Sequence, residues 1–158
     1  MRIYLVQHGL ALDEQQDPNR SLSAQGLEDV TRVAGFLSLF EKPKPSHVFH
    51  SGKKRALQTA EMIAEAWHIK NIAAADDLSP HANPEVWEAK LHAMHEDVLL
   101  VGHLPHLSKL ASLLIYGDLE LQPIRFRNGG VLCLEKSESG YQVLWHINPT
   151  MFYLTKDD

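Results

Sequence analysis

His8, Arg55 and His103 are residues whose types suit chemistry at phosphorus. A neutral imidazole can attack phosphorus, and a second can donate a proton or stabilise charge. A guanidinium presents a planar fork that holds two phosphate oxygens. Each of the three follows a short apolar run. Ile3-Tyr4-Leu5-Val6 ends in Gln7-His8-Gly9, His47-Val48-Phe49-His50 leads through Ser51-Gly52 to Arg55, and Val98-Leu99-Leu100-Val101 stops at Gly102-His103. Such runs read as strands buried on both faces. In open α/β sheets, ligands bind beyond the carboxyl ends of the strands, where helix N-termini offer unpaired N–H groups to anions. On one rim, two imidazoles and a guanidinium suit phosphoryl transfer without a metal.

Taken singly, each of the three is an ordinary polar residue at a strand end, so their joint placement is what carries the inference. A metal is not expected: His92 and His95, or His103 and His106, could share an ion, but no cysteine partners them. His47, His50, His68 and His146 read as partly exposed sheet or helix histidines, and His81 falls undecided in a polar loop. Lys53-Lys54-Arg55 reads as a solvated helix start whose last member faces the site.

The elements that must position these groups alternate. After the first strand, Leu27, Val30, Ala34, Leu37 and Phe40 recur at helical spacing, with Ser23 as N-cap and Lys42-Pro43-Lys44-Pro45 as the stop, which predicts a helix over about Ala24 to Phe40. The strand His47–His50 precedes a helix with Ala56, Leu57, Ala60, Ile63, Ala64 and Trp67 on its apolar face. A weak strand at Ile72–Ala74 leads into the polar connection Asp76–Pro84, expected to be the longest irregular stretch, and then a helix carrying Val86, Trp87 and Leu91. The strand Val98–Val101 is followed by a helix with Leu107, Leu110, Ala111 and Leu114. Strands over Gly130–Glu135 and Tyr141–Ile147 close the chain as a hairpin across Lys136–Gly140. The expected fold is an α/β three-layer sandwich with a mostly parallel central sheet flanked by helices.

The 158 residues predict one domain over 1–158, and 44% hydrophobic with 22% charged residues is ordinary globular usage. A formal charge of −5 provides no global field for nucleic acid or an anionic membrane, so any anion must be captured locally. Cys133, the single cysteine, excludes an internal disulfide framework and fits a reducing compartment. Near the start only Ile3–Val6 run apolar, and the later stretch Leu110–Tyr116 contains Ser112. Neither a signal peptide nor a membrane span is expected, and the cytoplasm is the expected location.

Leu5-Val6-Gln7-His8-Gly9 resembles the Arg-His-Gly signature of the histidine phosphatase superfamily, also called phosphoglycerate-mutase-like. The stretch Asp17 to Gly26, with Arg20-Ser21-Leu22-Ser23, is similar to the family's Arg-Pro-Leu-Thr-x-x-Gly. Ser51-Gly52-Lys53-Lys54-Arg55-Ala56-Leu57-Gln58-Thr59-Ala60 resembles its Ser-x-x-x-Arg-Ala-x-Gln-Thr-Ala block, and Gly102-His103-Leu104-Pro105 its Gly-His-x-Pro motif. The matches run in family order through the first two thirds of the chain, and the short length is similar to SixA-type phosphohistidine phosphatases.

The resemblance implies a covalent mechanism with His8 as nucleophile and Arg55 and His103 closing a phosphate pocket. It places Gly9 and Ser51 beside the substrate, Arg20 as an outer anion contact and the Leu104 N–H as a further donor. Gln7 stands where the signature has arginine; an amide still donates a hydrogen bond, but loss of the ion pair would slow chemistry by about one to three powers of ten. Asp77, Glu85 and Glu88 are candidate proton donors, and no large inserted lid is expected. The expected activity is a cofactor-free phosphatase acting on a phosphohistidine-bearing phosphotransfer or signalling protein. The partner is that protein rather than nucleic acid or membrane, and the chain is expected to be a monomer. A non-catalytic reader of phosphohistidine and a small-molecule phosphomonoesterase are the competing functions.

Overall fold

In the structure, a computed structural model, residues 1–41 and 44–154 are described. The strands are β1 (Arg2–Gln7), β2 (His47–His50), β3 (Ile72–Ala74), β4 (Val98–Gly102), β5 (Val131–Ser137) and β6 (Gly140–Ile147). The helices are α1 (Ala24–Phe40), α2 (Lys54–Trp67), α3 (Pro84–Ala93) and α4 (His106–Tyr116). The sheet order is β3-β2-β4-β1-β5-β6; the first four strands are parallel, and β5 and β6 complete the sheet through antiparallel pairing.

Strand periodicity divides the core in two. Tyr4 and Val6 of β1 face one side, where they pack with Val30, Val33 and Leu37 of α1 and Ile63, Ala64 and Trp67 of α2. Ile3 and Leu5 face the other side, among Trp87 and Leu91 of α3 and Leu107, Leu110 and Leu114 of α4. Helices therefore cover both faces, and the expected α/β sandwich is the observed fold. The parallel register Gln7↔Gly102 and His50↔Val101 brings the ends of β1, β2 and β4 level, which puts the residues that follow them on one rim.

Several local expectations change. Leu27 and Phe40 are exposed; Gly26 and Val33 take their places on the buried face of α1. Val86 of α3 is likewise exposed. Ser23 does cap α1, accepting the Gly26 N–H, and the helix ends at Glu41 in extended backbone, whereas Lys42 and Pro43 lie outside the described residues. The segment 76–84 is shorter than 8–23 or 117–130 and contains a 3-10 turn at Asp76–Leu78. The hairpin is tighter than expected, because β5 runs on to Ser137 and β6 begins at Gly140. His50 is buried, its Nδ1 accepting the Gly52 N–H at 3.1 Å.

Candidate active site

The end of β1 presents His8, the start of α2 presents Arg55, and the residue after β4 is His103. The structure brings all three together. The His8 and His103 rings lie 4.8 Å apart between centroids, tilted by 54°. Arg55 donates Nε–H to His8 Nε2 at 3.2 Å, so that nitrogen holds a lone pair. The other ring nitrogen, Nδ1, lies 2.7 Å from the Gly9 carbonyl and carries the proton that it donates there. His8 is thus fixed as the neutral tautomer with Nε2 facing the guanidinium.

Electrostatics hold both rings neutral. Burial pulls His8 down to about 4, with the Arg55 and Arg20 charges adding to the effect against the Gly9 hydrogen bond. Burial, followed by His8 and Arg55, takes His103 to about 3. Burial also lowers Arg55, next to the charge of Arg20.

The other sequence candidates divide by what they touch. Ser51 Oγ lies 2.6 Å from His103 Nε2, so it fixes that ring. Gly9 gives its N–H to Thr59 Oγ1 at 3.0 Å, which removes it as a free donor. A Cβ at Gly9 would meet Val30 Cγ2 at 2.8 Å, and the position requires glycine for this close approach. Leu104 is exposed on the rim beside His103.

Arg20 donates Nε–H to the Leu12 carbonyl at 3.2 Å and is close enough to lower both His8 and Arg55 by its charge. Its backbone is left-handed, with φ of 52°, in a turn built on Asp17. The Asp17 carboxylate accepts the N–H groups of Asn19 and Ser21, each at 2.9 Å.

Gln7 departs from the expected arrangement. It is nine-tenths buried and lines a neighbouring cavity with Arg125, Arg127 and Asn128, and its Oε1 has no hydrogen-bond partner. Of the candidate acids, Asp77 is taken up by Trp87 Nε1 at 2.7 Å and by an ion pair with Lys90. Glu85 accepts from Asn83 at the exposed start of α3, and Glu88 makes no side-chain hydrogen bond with the site. Among the described residues, no group of three or more His, Cys, Asp or Glu is gathered as a metal ion would need. Within the same limits, no helix is long and apolar enough to cross a membrane.

Two supporting residues escaped the sequence-based assignment of roles. Thr59 accepts from Gly9 and donates to the Arg55 carbonyl at 2.7 Å, tying β1 to α2. Asn128 Nδ2 donates to the His8 carbonyl at 3.1 Å, and the Gly129 N–H joins it. Thr59 lies inside the Arg-Ala-x-Gln-Thr-Ala block, which was its signal; Asn128 had only the turn-forming Asn128-Gly129-Gly130.

Residues 3–79 match the family model described as histidine phosphatase superfamily, branch 1. The match spans just under half of the chain. Phosphatase is the enzyme class that goes with a histidine phosphatase. The chain is similar in fold to the protein histidine phosphatase SixA complexed with tungstate, at TM-score 0.83 and 24% identity over 97% of this chain and 100% of that one. It is also similar to a structure named for phosphohistidine phosphatase SixA from Agrobacterium tumefaciens, at TM-score 0.78 and 22% identity, covering 94% and 97% of the two chains. An alpha-ribazole phosphatase from Shigella flexneri gives TM-score 0.69 and 18% identity over 90% and 94%. No curated protein matches in sequence. The histidine phosphatase fold thus spans relatives named for different substrates, and the substrate of this one is a separate inference.

Proposed function

We propose that the protein is a phosphohistidine phosphatase that works through a phosphoryl group carried on His8. The observation that carries this reading is the His8 ring itself: neutral, with its Nε2 lone pair turned to Arg55 and His103 4.8 Å away. Nε2 attacks phosphorus as the substrate P–N bond breaks, and the departing imidazole takes up a proton. The Arg55 N–H groups transfer from Nε2 to the phosphoryl oxygens. The dianion beside His103 raises that ring from about 3, so it takes a proton and shares the charge. Water then attacks phosphorus, the P–Nε2 bond breaks, and inorganic phosphate leaves. The proton consumed in the first step is returned in the second.

The lack of a free acid at the site, among the described residues, favours phosphohistidine over an alkyl phosphate ester. Asp77 is already spent on Trp87 and Lys90, and neither Glu85 nor Glu88 bonds to His8, Arg55 or His103. A protonated imidazole leaves more readily than an alkoxide and needs less help from such an acid. Arg20, by its charge on His8 and Arg55, supplies a second cation where Gln7 supplies none. A phosphotransfer or signalling protein bearing phosphohistidine is the proposed partner.

The test incubates the protein briefly with a 32P-phosphohistidine protein and runs an alkaline gel that preserves acid-labile phosphate. Wild type should become labelled and release phosphate, while folded His8→Ala should lose turnover by about three powers of ten or more. Turnover at the wild-type level in folded His8→Ala would end the covalent mechanism. Substrate binding by wild type without labelling or release would favour the non-catalytic reader.

A further inference from the structure

Behind the end of β1 lies a cavity of about 390 Å3 whose lining includes Gln7, Asp29, Arg125, Arg127, Asn128 and Thr150. It shares a wall with the candidate active site, because Asn128 and Gly129 both donate to the His8 carbonyl. Its charge is unbalanced. The Arg125 and Arg127 guanidinium groups make no hydrogen bond or ion pair among the described residues. Asp29, the one carboxylate of the lining, is engaged by Gln25 Nε2 at 2.8 Å and by the Tyr153 hydroxyl. Gln7 is nine-tenths buried, and its carboxamide takes no hydrogen bond at either end.

Two free guanidinium forks, one cavity wall away from His8, offer their N–H groups to an oxyanion. We propose that this cavity is a specificity subsite that holds an Asp or Glu carboxylate of the phosphorylated partner protein while its phosphohistidine occupies the His8 site. Asp29 offsets one of the two guanidinium charges, so the lining carries about one net positive charge, which a single carboxylate neutralises and a phosphate dianion would exceed. The proposal rests on the phosphohistidine-protein reading above and deepens it: the substrate is recognised by an acidic neighbour.

The test uses two phosphohistidine peptides, identical except that one carries Glu and the other Gln at the residues flanking the phosphorylated position. Wild type should prefer the Glu peptide by about tenfold in kcat/KM, and the Arg125→Ala/Arg127→Ala double variant should bring that ratio close to one. Because the readout is a ratio, a general loss of activity does not affect it. A wild-type ratio near one, or a ratio unchanged in the double variant, overturns the subsite. Inhibition by pyrophosphate that depends on Arg125 and Arg127, without any preference for Glu, overturns the carboxylate assignment. Fluorescence anisotropy with the unphosphorylated pair separates this from the parent proposal. A preference for Glu that depends on both arginines, in a protein that hydrolyses neither peptide, upholds the subsite and ends the phosphatase reading.

Discussion

The proton of the His8 ring faces the Gly9 carbonyl and the lone pair faces Arg55, an arrangement that only the neutral ring satisfies. Ring nitrogen shifts followed by NMR should therefore titrate with a midpoint near 4 for His8 and near 3 for His103, well below the ordinary 6.5. A midpoint near 6.5 for His8 would contradict the buried, guanidinium-facing ring. His106, also buried and lowered to about 4, adds to the same linkage. Between pH 6.5 and about 4 the unfolded chain binds protons at these rings that the folded chain does not, so stability falls as pH falls through that window. His8, Arg55 and His103 were legible in the sequence because each sits just past an apolar strand. The role of Gln7 was not legible: residue 7 reads as the neighbour of the nucleophile, yet it lines a cavity with Arg125 and Arg127, which lie more than a hundred positions away.

At the scale of elements, the clearest demand is where α1 meets the loop after β1. A Cβ on Gly26 would lie 2.1 Å from the Leu10 carbonyl oxygen, a contact with backbone that no rotamer change relieves. Gly26→Ala should cost about 1–3 kcal/mol in urea unfolding. It should also lower turnover, because Leu10 is two residues from His8; wild-type stability would show that loop and helix can part without penalty. Helix and strand bounds were largely legible, since a period of 3.6 survives in α1 and α2 and continuous apolar runs mark β1 and β4. The faces were less so. Leu27 fits the helical period yet lies outside, because the close approach of Leu10 gives the inner position to Gly26, and Phe40 is exposed as the last residue of the helix. The segment 117–130 carries little periodic signal, and it delivers both Asn128 and the paired arginines.

The whole molecule carries a formal charge of −5, but Arg20, Lys53 and Arg55 put positive charge on the His8 and His103 rings, and Arg125 and Arg127 line the adjoining cavity. An acidic protein with one basic rim steers acidic partners to that rim. Raising salt from about 0.05 to about 0.5 M should lower kcat/KM for an acidic phosphohistidine protein several-fold more than for phosphoramidate, since screening acts over distance. An equal loss on both substrates would confine the effect to the phosphate itself. The sheet order has a different consequence. β1 and β2, which deliver His8 and Arg55, are not neighbours; β4, synthesised well after both, lies between them and brings His103. A chain emerging from the ribosome therefore displays its nucleophile early but has no sheet to mount it on until Val98–Gly102 arrives, and no clasp on the His8 carbonyl until Asn128 does. Synthesis order itself acts as a safety catch, keeping the chemistry off until most of the protein exists.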